Sequence, residues 1–186
     1  MDETRRQLFH IIIAILAIAF LFAFGRGLLM GAAFVILLIG LVLINRAYLG
    51  QRIGPVDWFI RNFEREGVRF PGWGSACYAT GVLLLTSFLN STGAIAAGIW
   101  LFGIGDGIST LVGQHGKIKL PYNKRKTLEG SLAFFLSGLI GYVFIGPLII
   151  PAALLAAFIE SLPLPIDDNL SIPVALTIMF LLLGVA

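Results

Sequence analysis

Apolar residues along this chain come in long runs rather than at amphipathic spacing: residues 8–25, 27–44, 76–89, 93–108, 131–146, 147–160 and 171–186 are almost unbroken. Polar clusters or Gly/Pro breaks separate them. Such runs predict helices that are apolar all round, the form that crosses a bilayer, although several fall short of the about 20 residues that span comfortably. Residues 131–160 are too long for one straight span, and Gly146-Pro147 divides them into two short, close-packed helices. The expectation is an all-α polytopic membrane protein of about seven transmembrane helices, with residues 1–186 forming a single integral-membrane domain.

Residues 45–75 read differently. Within "GPVDWFIRNFEREG", Val56, Phe59, Ile60 and Phe63 share one helical face. Pro55 suits a first helical position, Asp57 the first turn and Gly67 the stop. This predicts a short amphipathic helix lying on the membrane, with Arg61 and Arg65 near headgroups and Trp58 at the interface. It either joins two spans or admits lipid from the bilayer.

Composition sharpens the membrane reading, because 58% hydrophobic and 12% charged residues exclude an ordinary soluble domain. The single cysteine, Cys77, excludes an intramolecular disulfide and is read as packing. The opening 24 residues have the outline of a signal peptide, with Ala17-Ile18-Ala19 resembling a cleavage site, but are read as the first span. Asn90-Ser91-Thr92 fits a glycosylation pattern yet sits hard against a span, and is read as a polar turn. No nucleic-acid partner is expected.

Threading seven spans from a cytoplasmic N-terminus puts every Lys and Arg except Arg26 on the cytoplasmic side. The acids, including Asp106, Glu160, Asp167 and Asp168, fall there too. Insertion bias accounts for the cations but says little about Asp and Glu. Acids gathered on the same face point to an active site on the cytoplasmic side.

An ionisable residue ending a membrane helix is a functional candidate, since a charge near hydrocarbon needs a partner. Asp106 is such a residue, with Ser109 and Gly113 on its helical face at i+3 and i+7. Small residues there, and Gly116 beyond, allow close approach, which simple helix packing also uses. Next come Lys117, Lys119, Lys124, Arg125 and Lys126, then Thr127, Glu129 and Gly130. A basic loop beside a membrane can hold anionic headgroups. Beside a carboxylate it also has what a nucleoside triphosphate needs: cations for phosphate oxygens and acids for magnesium. A second acidic cluster, "ESLPLPIDDNLSIP", is either a solvated turn or a source of metal ligands and a base. Glu3, Arg6 and His10 line one side of the first helix.

Together these residues resemble the dolichol kinase and phytol kinase family of CTP-dependent membrane lipid kinases. That family's nucleotide pattern is matched by Asp106, Ser109, Gly113, Gly116 and the run Arg125-Lys126-Thr127-Leu128-Glu129-Gly130. The departures are Ser109 for Ala, Arg125 for Lys and one fewer residue between the glycines. "ETRRQLFH", "RFPGWGSACYATGVLL" and "LPIDDNLSIPV" resemble its opening, third-span and closing motifs. The closing motif separates it from the related phosphatidate cytidylyltransferases, whose terminal His-Gly-Gly…Asp-Arg signature does not occur. The resemblance implies transfer of the γ-phosphoryl group of CTP, or another nucleoside triphosphate, to the hydroxyl of a dolichol-, polyprenol- or phytol-type alcohol or a diacylglycerol-like lipid. In that reading Asp106, Asp167 and Asp168 are catalytic, and Asp106 and Asp168 hold Mg²⁺. Ser109, Gly113, Gly116, Arg125, Lys126, Thr127, Glu129 and Gly130 bind nucleotide, while Glu3, Arg6, His10 and Asn169 support the site. A cytidylyltransferase and a non-enzymatic transporter or scaffold are the alternatives.

Overall fold

The computed structural model describes residues 3–51, 53–63 and 72–185. Among these residues there is no β-strand, and one isolated antiparallel bridge joins Lys119 to Thr127. The all-α expectation holds. Helix α1 runs Glu3–Tyr48 but breaks at Gly25, whose φ of 81° and ψ of 171° no side-chain-bearing residue adopts comfortably. It is therefore two limbs, divided where the apolar pattern divides. The amphipathic helix α2 spans Gly54–Phe63 with Trp58 exposed. Arg52, Arg65, Gly67 and Arg69, and the side chains of Phe59, Ile60, Arg61 and Phe63, lie outside the described residues.

Helix α3 covers Trp73–Phe88, and α4 starts at Thr92, where Ser91 caps it by accepting from Ala94 N at 3.2 Å. The Asn90-Ser91-Thr92 turn thus has a structural use as a helix cap. Helix α4 (Thr92–Ile99) passes through a π-helical turn, Trp100–Gly105, into α5 (Asp106–Gly113) without leaving the axis. After the basic loop come α6 (Leu128–Gly138) and the short α7 (Tyr142–Ile145), and the chain reverses at Gly146, φ 57°. Helices α8 (Ile149–Ser161) and α9 (Asp168–Leu182) complete the bundle. The predicted division at Gly146-Pro147 is present, and the two halves pack through small residues: a Cβ on Gly138 would sit 3.1 Å from that of Ala153.

Among the described residues, three helical stretches, Glu3–Tyr48, Thr92–Gly113 and Leu128–Ser161, are long and apolar enough to cross a membrane. The outer surface supports that use. Phe22, Phe34, Ile36, Val143, Leu154 and Ile178 all stand exposed on it. Water would penalise such a belt heavily, whereas lipid tails accept it. Inside lies the helix from Thr92 to Gly113, enclosed by α1, α3, α6, α8 and α9 and packed through Ile99, Leu101 and Phe102 against Leu85, Phe134, Ile172 and Leu176. The two ends differ. At one, Arg26 donates to Leu89 O at 2.9 Å and to Asn90 Oδ1 at 2.8 Å, tying the Gly25 reversal to the α3–α4 turn. The other end collects Asp106, Lys126, Glu160 and Asp168.

Candidate functional site

Four short elements deliver the charged groups. Asp106 opens α5 directly after the π-helical turn and is buried. A π turn adds a residue to one helical turn and re-aims whatever follows it, a device common at functional sites. Helix α8 ends in buried Glu160 and Ser161. Asp167 caps α9 by accepting from Asn169 N at 3.0 Å, which leaves the Asp168 side chain free to reach Lys126.

The basic loop is fastened at its base. Glu129 accepts from Lys117 N at 2.8 Å and Ile118 N at 3.2 Å, and Leu128 N donates to Ile118 O at 2.8 Å. Thr127 caps α6, accepting from Gly130 N at 3.1 Å. Across the cleft, Asn123 Nδ2 donates to Ser161 O at 2.9 Å, and Tyr122 Oη lies 2.9 Å from Ser161 Oγ. So held, Lys126 reaches Asp168 Oδ2 at 3.0 Å and pairs closely with Glu160 Oε1. Ser109 Oγ donates to the same Glu160 oxygen at 2.9 Å.

Asp106, Glu160 and Asp168 each offer a carboxylate oxygen within 4.8 Å of the others. Three acids face one ammonium, and the second Glu160 oxygen, Oε2, is buried without a hydrogen-bond partner. Burial alone would pull the Lys126 ammonium down. The carboxylates of Asp106, Asp168 and Glu160 more than offset this and raise its pKa above the ordinary lysine value. An oxygen-rich, net negative pocket with an orphaned carboxylate oxygen suits a hard divalent cation.

These groups line a cavity of about 660 Å³. Its cationic wall includes Lys119, Lys124, Arg125 and Lys126, and Asp106, Glu160, Asp167 and Asp168 stand in its acidic wall. Ser109, Gly113, Thr127, Gly130 and Asn169 also line it. Gly116 and Glu129 do not: a Cβ on Gly116 would fall 2.5 Å from Thr127 Oγ1, so this glycine lets the loop close on α6, and Glu129 clips that loop. Both build the cavity from outside rather than face its contents. From the N-terminal group, Arg6 lines the cavity while Glu3 holds it, accepting from Arg6 Nε at 3.1 Å and from Gln7 Nε2 at 3.0 Å. His10 Nε2 donates to Asn169 Oδ1 at 2.7 Å and packs edge-on against Tyr78.

The sequence reading placed Glu160 in the second acidic cluster but gave it no catalytic or metal role of its own, yet it is the most buried of the three clustered carboxylates. The available signal was the one used for Asp106, an acid closing an apolar helix. Tyr122 and Asn123 carried no such signal, since their partners on Ser161 are far away in the chain.

An apolar-belted helical bundle with a charged cleft at one end defines a class: a helical protein of membrane type whose polar chemistry sits at the ends of its helices. No family model matches the chain, and no solved structure matches it. It is 36% identical to an uncharacterized protein of Methanocaldococcus jannaschii over 93% of this chain and 90% of that one. It is also 33% identical to a probable phytol kinase 2, chloroplastic, of Oryza sativa over 92% of this chain and 63% of the relative. A farnesol kinase, chloroplastic, of Arabidopsis thaliana is 31% identical, over 90% and 61%. These similarities support placement in a phytol/polyprenol kinase family. It spans less than two thirds of the length of these plant kinases.

Proposed function

We propose that this protein is a lipid-alcohol kinase that moves the γ-phosphoryl group of a nucleoside triphosphate, CTP by family resemblance, onto the hydroxyl of an isoprenoid-type alcohol in the membrane. The observation that carries this reading is the single cavity in which a cationic loop faces three clustered carboxylates at the ends of apolar helices. Phosphoryl transfer needs little more than positioning and charge stabilisation, and this cavity is built for both.

Lys119, Lys124 and Arg125, which line the cavity, would bind phosphate oxygens through charge-assisted hydrogen bonds, stronger than neutral ones. Asp106, Glu160 and Asp168 would hold Mg²⁺, which supplies neutralisation of phosphoryl charge when bound. Lys126 balances the same carboxylates and can exchange an acid for a phosphate. Asp167, which lines the cavity beside Asn169, is the base we assign to accept the hydroxyl proton. In the membrane, the seven apolar stretches would serve as seven spans, α2 would lie at the interface, and the concentration of Lys and Arg at the site end would place the site on the cytoplasmic face.

Incubation with γ-labelled CTP and a panel of prenols, phytol and diacylglycerol tests the proposal. Label in the lipid fraction with release of CDP is expected. Label recovered only in pyrophosphate would replace the kinase by a cytidylyltransferase, and no nucleotide turnover with any acceptor would leave a binding or scaffold role.

A further inference from the structure

A second cavity, of about 550 Å³, lies between the two limbs of α1 and helix α3. Ile13, Phe20, Leu29, Ala33, Ala79 and Val82 give it an apolar wall. It shares three residues with the charged cavity, Arg6, Asp167 and Asn169, so the two spaces meet at a common polar rim. A third hollow, of about 330 Å³, extends it: Ile36, Gly72, Ser75 and Ala79 belong to both, and the extension ends against Pro55 and Val56 of α2. Exposed Leu16 and Ile36 border this tract, so its side opens toward the surroundings of the bundle.

We propose that this tract binds the hydrocarbon tail of the acceptor, that it takes one chain rather than two, and that the His10–Asn169 pair at its mouth receives the hydroxyl. The inference rests on the kinase reading and extends it to the acceptor. An amphiphile with a single reactive hydroxyl requires an apolar slot that ends at the reacting groups, and the shared rim provides that join. A tail moving from bilayer into this slot exchanges one hydrocarbon setting for another, so transfer from water contributes little to selection. Shape does the selecting. Small side chains at Ala17, Ala32, Ala33 and Ala79 make the room for a tail and the volume of about 550 Å³ limits how much hydrocarbon fits, while the open flank lets a long tail run out into the bilayer. Tolerance of length with discrimination against a second acyl chain follows, which favours a prenol over a diacylglycerol.

The test uses the full chain in lipid nanodiscs with phytol carrying a photoactivatable diazirine in its tail. Adducts should map to α1 and α3 and fall roughly tenfold in Ala79→Phe, since overfilling a packed slot excludes its occupant. Gly74→Phe is the companion variant: a Cβ at this cavity-lining position meets nothing within 4 Å, so the backbone accepts it, and the same loss is expected. Retained CTP binding in each variant confirms the fold. Adducts spread evenly over the outer belt, including Leu154 and Ile178, would overturn the tail site, leaving only general bilayer contact. Equal labelling of the slot by a diacylglycerol probe would overturn the one-chain rule. Slot labelling without phosphate transfer in the wild type would instead remove the kinase reading and leave the tail site standing.

Discussion

The first and fourth helices make opposite use of apolar sequence. In the most apolar window of Glu3–Tyr48, 11% of residues are buried, whereas in Thr92–Gly113 the figure is 72%. Both read as membrane helices, but one is a wall and the other an axle. The central helix is packed on every side and fixes Asp106 against two other carboxylates, and in the proposed kinase a displacement of an ångström there would cost a large part of the rate. Helix α1 needs the reverse, an outer face that lipid can wet and an inner face that leaves room beside α3. Burial therefore tracks the precision demanded of each helix more closely than its hydropathy.

The sharpest way to break this contrast is at the axle. Asp106→Asn keeps size while removing a charge, and turnover should fall by ~10³-fold, measured as label transferred from γ-labelled CTP. The double variant Asp106→Asn/Asp168→Asn should be little worse than either single change, because groups that act as a unit are non-additive. Additive losses would separate the two carboxylates into independent sites.

Lys126→Met should come next. It leaves Asp106, Glu160 and Asp168 facing one another without their ammonium, a loss of about 3 kcal/mol in stability. Thermal unfolding with and without Mg²⁺ checks this: the ion should restore more stability to the variant than to the wild type. Because the carboxylates raise the Lys126 pKa, its contribution should be complete below about pH 10.4 and disappear as pH climbs through the raised value. The stability difference between wild type and Lys126→Met should thus be flat on the alkaline side of neutrality.

A paired glycine experiment sharpens the comparison at lower amplitude. Gly138→Ala brings a methyl 2.8 Å from Leu101 and should cost about 1–2 kcal/mol. Gly31→Ala on α1 meets nothing within 4 Å and should be neutral or gain about 0.5 kcal/mol. Equal penalties in denaturation would erase the distinction between wall and axle. The smallest loss belongs to Arg26→Gln at the far end, about 1 kcal/mol in stability from its lost contacts to Leu89 and Asn90. CTP turnover should be unchanged.

Hydropathy and punctuation made much of the fold legible, since Gly25-Arg26-Gly27, residues 89–92 and Gly146-Pro147 divide the apolar runs where the helices divide. These signals are local and backbone-based. The convergence of Asp106, Lys126 and Asp168 at one end was readable for a different reason: alternating direction through successive helices leaves few ends for them to share. What stayed hidden depends on packing. The π-helical turn at Trp100–Gly105 has no composition of its own, because an extra residue in a turn is decided by neighbouring helices. Gly116 and Glu129 matched a nucleotide pattern, and a pattern does not separate residues that touch a cavity from those that fasten its wall.

The Gly25 reversal bears on biogenesis. In the proposed seven-span arrangement the two limbs of α1, joined by a tight turn carrying Arg26, would enter the bilayer as a hairpin that carries one cation across, at a cost of a few kcal/mol. The groups that later receive that guanidinium, Leu89 O and Asn90 Oδ1, are synthesised more than sixty residues afterwards. Until then the guanidinium would be solvated by water or headgroups alone, and the arrival of α3 would both supply its hydrogen-bond acceptors and close the space proposed for the lipid tail. On that arrangement the far end of the first hairpin would gain its fixed partners only once the third helix has been made.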